Sequence, residues 1–288
     1  MRRLLAKLER SHGLDRIGDP ARKAILAAVP REGVRDVLHG RWLGHPLHPA
    51  VVQFPVGAWL SAAVLDALAF LPGRRPAATA LLVAGTAAAL PAAVTGATDF
   101  TTLSREQRRV AVVHALANSV ALGLFVSSIV ARLRGRHAAG RGLSYAGTGV
   151  AGVGAFLGGH LSFSQDAGTN HAAAALPLVP RGWHGIGAIE EFRPGRVESR
   201  ILGETPVLVY RDGDGDRFSV LIGRCAHRSG PLADGRTVEV DGEACLECPW
   251  HGSVYRLADG RAVHGPASSD QVVLRTRIRA GRLEAARP

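Results

Sequence analysis

Residues 248–256 read Cys-Pro-Trp-His-Gly-Ser-Val-Tyr-Arg, and residues 225–232 read Cys-Ala-His-Arg-Ser-Gly-Pro-Leu. Each stretch joins one cysteine to one histidine, as Cys-x-His in the first and Cys-x-x-His in the second, with twenty residues between His227 and Cys248. The chain has three cysteines, all between 225 and 248. Three cysteines cannot close a disulfide scaffold, so they read as ligands. Two thiolates and two imidazoles suit zinc or an iron–sulfur centre. A Cys2His2 zinc site usually opens with a close cysteine pair, whereas here each loop mixes the two ligand types. The third cysteine, Cys245, forms Cys-x-x-Cys with Cys248, the spacing of a redox dithiol. It also lies on the strand-like run ACLECP, where it reads as a small buried residue.

Working outward, residues 183–283 are a succession of short β-type runs separated by turns. ESRILG, TPVLVY, FSVLIG, TVEVDG, ACLECP, SVYR, QVVLRTRIR and GRLEA each have the composition of a strand. Asp212-Gly213-Asp214-Gly215-Asp216 between two of them predicts a hairpin turn. The expected fold is a small all-β domain carrying both Cys/His loops.

These loops resemble those of the Rieske [2Fe-2S] family. The resemblance rests on Cys225-x-His227 with Gly230-Pro231-Leu232, on Cys248-Pro249-Trp250-His251-Gly252, and on Leu257-Ala258-Asp259-Gly260. It implies that Cys225 and Cys248 hold one iron of a [2Fe-2S] cluster, and His227 and His251 the other. The family's high-potential members carry an extra cysteine in each loop, and Gly230 and Trp250 stand in those places here. The loops are in that respect similar to oxygenase ferredoxins. Ser253 and Tyr255 stand where high-potential members hydrogen-bond a bridging sulfide and a cysteine sulfur, donors that raise the potential. A potential between the two classes is therefore expected.

The first two thirds of the chain read differently. Of the whole sequence, 47 % is apolar and the formal net charge is +11. Four apolar segments, at about 50–71, 76–95, 110–131 and 143–163, are each near the ~20 residues that span a bilayer as a helix. We expect a four-helix transmembrane bundle over residues 45–175, after a basic cytoplasmic segment at 1–44. Ten Lys and Arg precede residue 42, which places the charge at a membrane flank rather than on a nucleic-acid surface. With Arg105, Arg108 and Arg109 the tally is thirteen on the side of the chain ends against six on the other. The positive-inside rule then predicts a multi-pass inner-membrane protein whose all-β domain is cytoplasmic. Pro55 is expected to kink the first span, and the small residues of the spans allow close packing and a homodimer.

Ionisable groups in spans are functional candidates by default. His48, Asp99, His114 and His160 fall at the same membrane face under a four-span topology, and Asp66 lies deeper. Two facing histidines suit a b-type haem, and the same face suits a quinone; hydrogen bonding between helices accounts for them equally. Residues 40–50 with Gln53-Phe54-Pro55-Val56-Gly57-Ala58-Trp59-Leu60, and Gly158-Gly159-His160-Leu161-Ser162-Phe163, resemble an uncharacterised four-span bacterial membrane domain, the DUF2231 family. That resemblance carries no activity.

A second iron site and a substrate domain would be needed for an oxygenase, and about 35 residues follow His251. A Gly-rich nucleotide signature is not found. The reading is a membrane-anchored electron carrier serving a redox partner protein or quinone, linked in the first case to haem or quinone in the bundle. The alternative is a redox sensor or a membrane-tethered ferredoxin for a soluble oxygenase, with the bundle as anchor only.

Overall fold

The apolar runs become helices and the alternating runs become strands in the computed structural model, which describes residues 2–68, 70–213 and 215–288. The helices are α1 (Arg2–Glu9), α2 (Asp15–Ala28), α3 (Glu32–Leu38), α4 (Leu47–Val51), α5 (Gln53–Ala67), α6 (Arg74–Phe100), α7 (Arg105–Leu133) and α8 (His137–Ser164). The strands are β1 (His184–Ala188), β2 (Val197–Leu202), β3 (Thr205–Arg211), β4 (Phe218–Ile222), β5 (Arg236–Val240), β6 (Glu243–Glu247), β7 (Val254–Arg256), β8 (Ala262–His264), β9 (Val273–Arg279) and β10 (Arg282–Ala286). The chain forms two compact units. One holds Met1–Pro30 and Pro46–Ala167, and the other Arg31–His45 and Gly168–Pro288. The expected segment at 1–44 is thus split between the units, and residues 168–182 belong with the strands.

Among the described residues, three helical stretches are long and apolar enough to cross a membrane: Leu47–Ala67, Arg74–Phe100 and Arg105–Leu133. The expected fourth span lies within α8. Its 28 residues would reach about 42 Å at 1.5 Å per residue, but its glycines dilute its apolar character. Those glycines have a packing reason. Gly140, Gly147 and Gly154 recur every seven residues along one face of α8. A Cβ added to them would come within 2.6 Å of Arg132, 3.0 Å of Phe125 and 2.6 Å of Asn118 respectively. Helices without a hydrophobic force between them associate through such close contact.

Elsewhere in this unit Trp59 stacks on Phe125 with ring centroids 4.3 Å apart. Gly85 makes the space, since a Cβ there would lie 2.9 Å from the indole. Pro55 interrupts the first span as expected: the break falls at Val52, one turn before it, where the proline gives no N–H to the Val51 carbonyl and its ring crowds that oxygen. Asp66 is buried against the guanidinium of Arg132, whose Nη1 donates to Oδ1 at 3.0 Å. Both side chains are almost fully enclosed, so Arg132 is a core residue rather than a loop charge. The first thirty residues also pack on the bundle. Leu5, Leu8, Ala21 and Ile25 lie against the cluster of Phe100, Val110 and Leu161. Arg109 donates to both carboxylate oxygens of Asp15, at 2.8 and 2.7 Å, and Arg108 to Asp19 at 2.8 Å.

The second unit contains a six-stranded sheet, ordered β1-β10-β9-β4-β3-β2, and a four-stranded sheet, β5-β6-β7-β8. The β3–β4 hairpin forms as expected, with Val207 opposite Ile222 and Arg211 opposite Phe218; Asp214 of its predicted turn lies outside the described residues. β-Branched and leucine side chains of β3 and β4 fill the core with Leu246, Tyr255, Leu257 and Leu283. Ala172, Ala175 and Val179 join that core, which is why the stretch after residue 168 belongs here. Arg31–His45 is fastened by Asp36, which pairs with Arg41 and receives His264 Nδ1 at 3.1 Å, and by Ser269 donating to the Gly44 carbonyl at 3.1 Å.

Candidate metal centre

Two loops of the all-β unit carry the ligand candidates. The first follows β4 and the second joins β6 to β7. In the first, Cys225 N–H donates to the Gly230 carbonyl at 2.9 Å and Ser229 N–H returns to the Cys225 carbonyl at 2.8 Å. Closing that turn puts Ser229 at φ 55°. In the second, Cys248 N–H donates to the Ser253 carbonyl at 2.8 Å and Gly252 N–H to the Cys248 carbonyl at 3.1 Å. Gly252 has φ 73°, a left-handed conformation that glycine adopts without a steric cost.

The folded loops bring Cys225, His227, Cys248 and His251 together as two like pairs. The His227 and His251 rings are 5.0 Å apart and nearly perpendicular. The two thiols are in hydrogen-bond contact. Gly230 permits the loops to approach, because a Cβ there would lie 3.0 Å from Cys248 Sγ and 3.2 Å from the Trp250 ring. Among the described residues no three His, Cys, Asp or Glu side chains gather as a single-ion site would; thiol faces thiol and imidazole faces imidazole.

The electrostatics follow from burial and from this pairing. Cys225 is drawn down to about 6, first by the hydrogen bond from Cys248, then by the Tyr255 hydroxyl and the backbone N–H groups of His227 and Arg228, against the opposing effect of burial. Cys248, the donor of the pair, is pushed up. Burial lowers His227 to about 3, with smaller repulsions from His251, Arg228, His171 and His39. The preferred forms are therefore one thiolate and a neutral imidazole, which are the ligating forms.

Three observations fit the residues to a [2Fe-2S] group. The donor set is two sulfurs and two nitrogens on facing loops. The Nδ1 atom of His227 is buried without a hydrogen-bond partner. Ser253 Oγ is fully buried beside the Tyr255 hydroxyl and also completes no hydrogen bond, a hydroxyl available to an acceptor in the site. Tyr255 is fully buried, with its hydroxyl 3.2 Å from Cys225 Sγ. Cys245 is buried on β6 opposite Arg256.

Gln271 is a site residue the sequence did not indicate. Its amide is buried, accepts from Ala226 N–H at 3.0 Å, and donates to the carbonyls of Ile222 at 2.5 Å and Arg224 at 2.8 Å. It holds Ala226 of the first loop from 45 residues further along the chain, and a lone glutamine carries no motif. The backbone N–H of His171 also ties this loop down, donating to the Ala226 carbonyl at 2.9 Å. Gly265 backs the second loop, where a Cβ would lie 2.3 Å from the Gly252 carbonyl.

The bundle candidates separate. His48 and His114 meet with ring centroids 6.3 Å apart. Their Nδ1 atoms donate to the carbonyls of Ala92 and Gly154, each at 2.8 Å. His160 turns instead to Glu9, with Nε2 2.7 Å from Oε1. Asp99 sits half-buried in the last turn of α6.

Known proteins match the two parts separately. Residues 44–171 match the family model described as a predicted membrane protein (DUF2231), and residues 182–276 match that of the Rieske [2Fe-2S] domain. The anthranilate 1,2-dioxygenase ferredoxin subunit of Burkholderia cepacia is 29 % identical over 102 residues, which are 35 % of this chain and 89 % of that protein. The oxygenase component of 3-ketosteroid-9-alpha-monooxygenase from Rhodococcus rhodochrous is 36 % identical over 80 residues, covering 28 % of this chain but only 19 % of that one. The ferredoxin of carbazole 1,9a-dioxygenase from Nocardioides aromaticivorans IC177 aligns in structure over 37 % of this chain and 98 % of its own, at 19 % identity and a TM-score of 0.33. The chain thus joins an N-terminal part that matches the DUF2231 membrane-protein model to a C-terminal part that matches the Rieske [2Fe-2S] domain model.

Proposed function

We propose that the protein is a membrane-anchored one-electron carrier of the ferredoxin kind, delivering electrons to an oxygenase-type partner. The observation that carries this reading is the pairing of Cys225 with Cys248 and of His227 with His251 on two facing loops. In it, Cys225 and Cys248 hold one iron, and His227 and His251 hold the other. When bound, the cluster supplies transfer of one electron at a time. The protein excludes water from the sulfur side by burying both cysteines and Tyr255, and leaves His251 and Trp250 exposed as the edge for a partner. The match to nearly the whole of a ferredoxin subunit, against about a fifth of an oxygenase component, supports a carrier over a catalytic subunit.

The test is electron paramagnetic resonance of the purified full-length protein before and after reduction. A rhombic signal of low average g that arises only on reduction is expected. A silent sample that contains zinc in both states would overturn the reading.

Four crossings and a cytoplasmic Rieske domain belong to the same proposal. That Arg31–His45, before the first span, and Gly168–Pro288, after α8, fold as one unit supports an even number of crossings between them. Three apolar helices plus α8 supply four. The tally of basic residues supports the cytoplasmic side. A green fluorescent protein fused after Pro288 should fluoresce, whereas a fused alkaline phosphatase should be inactive; the reverse would place the domain outside.

The second reading, a redox group in the bundle, rests on the His48–His114 pair. The pair suits haem poorly. Asn118 already donates to His114 Nε2 at 3.2 Å, and the rings fill the space beside Gly96 and Gly158. A quinol hydroxyl requires only an acceptor, which His48 Nε2 offers while its Nδ1 proton goes to the Ala92 carbonyl, and is the better ligand of the two. Quinone-dependent oxidation of the reduced protein that is lost in His48→Ala would support it, and oxidation independent of quinone would leave the bundle an anchor.

A further inference from the structure

We propose that the end of the bundle where α5, α6, α7 and α8 turn back holds an anionic phospholipid, its headgroup at Arg75 and His137 and an acyl chain along α6. A groove of about 790 Å³ opens there, with Arg75, Ala80, Val83, Ala84, Arg132 and His137 among its walls. Its lining is almost wholly apolar apart from the cationic rim. Ala80, Val83 and Ala84 are exposed in the monomer, so the apolar wall has no protein neighbour within this chain. The length of the groove lies on α6 and α7, two of the helices apolar enough to span the bilayer, which makes a lipid chain its natural occupant.

Charge selects the headgroup. Residues 67–98 and 107–165 contain no Asp or Glu, while Arg74, Arg75, Arg134, Arg136 and Arg141 cluster at this end of the helices. The nearby carboxylate, Asp66, is consumed by Arg132 inside the core. His137 Nδ1 is buried without a hydrogen-bond partner. α6 and α8 both start here, and neither has an acidic residue in its first turn, so their partial positive charges add to the field. The same chain treats the start of α7 differently. There Ser104 and Gln107 cap reciprocally and Glu106 stands in the first turn. At that opposite end Arg108 and Arg109 meet the carboxylates of Asp19 and Asp15, whereas the helices forming this corner bring no carboxylate but Asp66, and the corner matches a phosphate-bearing lipid.

The test uses the full-length protein in mild detergent, offered equal amounts of phosphatidylglycerol and phosphatidylcholine, with retained lipid read by native mass spectrometry. Wild type should retain one phosphatidylglycerol per chain in preference to phosphatidylcholine. Arg75→Gln should weaken that retention about fivefold, the usual effect of one basic residue at an anionic surface. Ala84→Trp fills the groove without altering charge and should abolish it, whereas Arg105→Gln, at the opposite end of α7, should leave it intact. Equal retention of the two lipids by wild type overturns the proposal, as does unchanged retention in both Arg75→Gln and Ala84→Trp, or equal loss in Arg105→Gln. Helicity by circular dichroism checks each variant's fold, and the wild-type comparison stands without any of them.

Discussion

The Tyr255 hydroxyl lies 3.2 Å from Cys225 Sγ, and neither group has access to solvent. Burial, reinforced by the negative charge that Cys225 carries, raises the phenol well above its ordinary value, so it stays protonated and serves as the donor. A donor to a ligand sulfur favours the electron-rich, reduced state of a bound cluster. Tyr255→Phe should lower the midpoint potential by roughly 20–65 mV, the equivalent of one hydrogen bond for a one-electron couple. Redox titration of the loaded protein checks this; an unmoved midpoint would show that the contact does not reach the metal.

Ser253 offers a test in both the empty and loaded protein. Its Oγ is fully buried and unpartnered in the chain itself, and an unsatisfied buried hydroxyl costs about 1–3 kcal/mol. Ser253→Ala should therefore leave cluster-free protein equally or more stable in chemical denaturation. In the loaded protein it should lower the potential. A loss of stability without cluster would mean that the hydroxyl has a partner within the protein.

Gln271 anchors the first loop through three hydrogen bonds. Gln271→Leu strands one N–H and two carbonyls and should destabilise the Rieske unit by roughly 2–4 kcal/mol. Cluster bleaching in chelator should accelerate, because the loop bearing Cys225 and His227 loses its brace. Urea denaturation and the decay of visible absorbance report the two effects separately.

Breaking the enclosed Asp66–Arg132 pair should be costly and removing both charges should not be. Asp66→Asn should destabilise the helical unit by about 3–5 kcal/mol, the usual consequence of leaving one charge buried alone. The double variant Asp66→Leu/Arg132→Met should recover most of that. Thermal unfolding in detergent decides; equal damage in both would assign the pair a role beyond packing.

Acid should release the first thirty residues. The Arg109 guanidinium holds Asp15 below its ordinary 3.8. A lowered carboxyl contributes stability that is complete above its unfolded pKa and is lost as pH falls through the folded one. Hydrogen exchange in α1 and α2 should therefore be slow at pH 6 and rise below about pH 4. Exchange that does not vary with pH would show that Leu5, Leu8 and their apolar neighbours hold the contact alone.

The two Cys/His loops, most of the strands around them and three helices long and apolar enough to cross a membrane were legible because each is a local signal. Cys-x-His and Cys-x-x-His name their chemistry by spacing, and a β-branched run or an apolar stretch of twenty residues declares its element without its neighbours. The short strands β1 and β8 escaped because glycine and histidine give them no β signature; pairing with β10 and β7 forms them. The apolar content of α8 gave an ordinary span, but its glycines follow a packing surface that becomes visible only when Phe125, Arg132 and Asn118 face them.

By itself the sequence determined the two halves, the metal-binding chemistry and the separation of apolar from mixed composition, since these depend on residue type and short spacing. The tertiary structure alone decided which polar groups meet. It joined Gln271 to the first cluster loop, Asp66 to Arg132, and His160 to Glu9 rather than to His48 and His114. Such partners are 45 to 151 residues apart in the chain, and only the closing of helices and sheets brings their donors within hydrogen-bond reach of their acceptors.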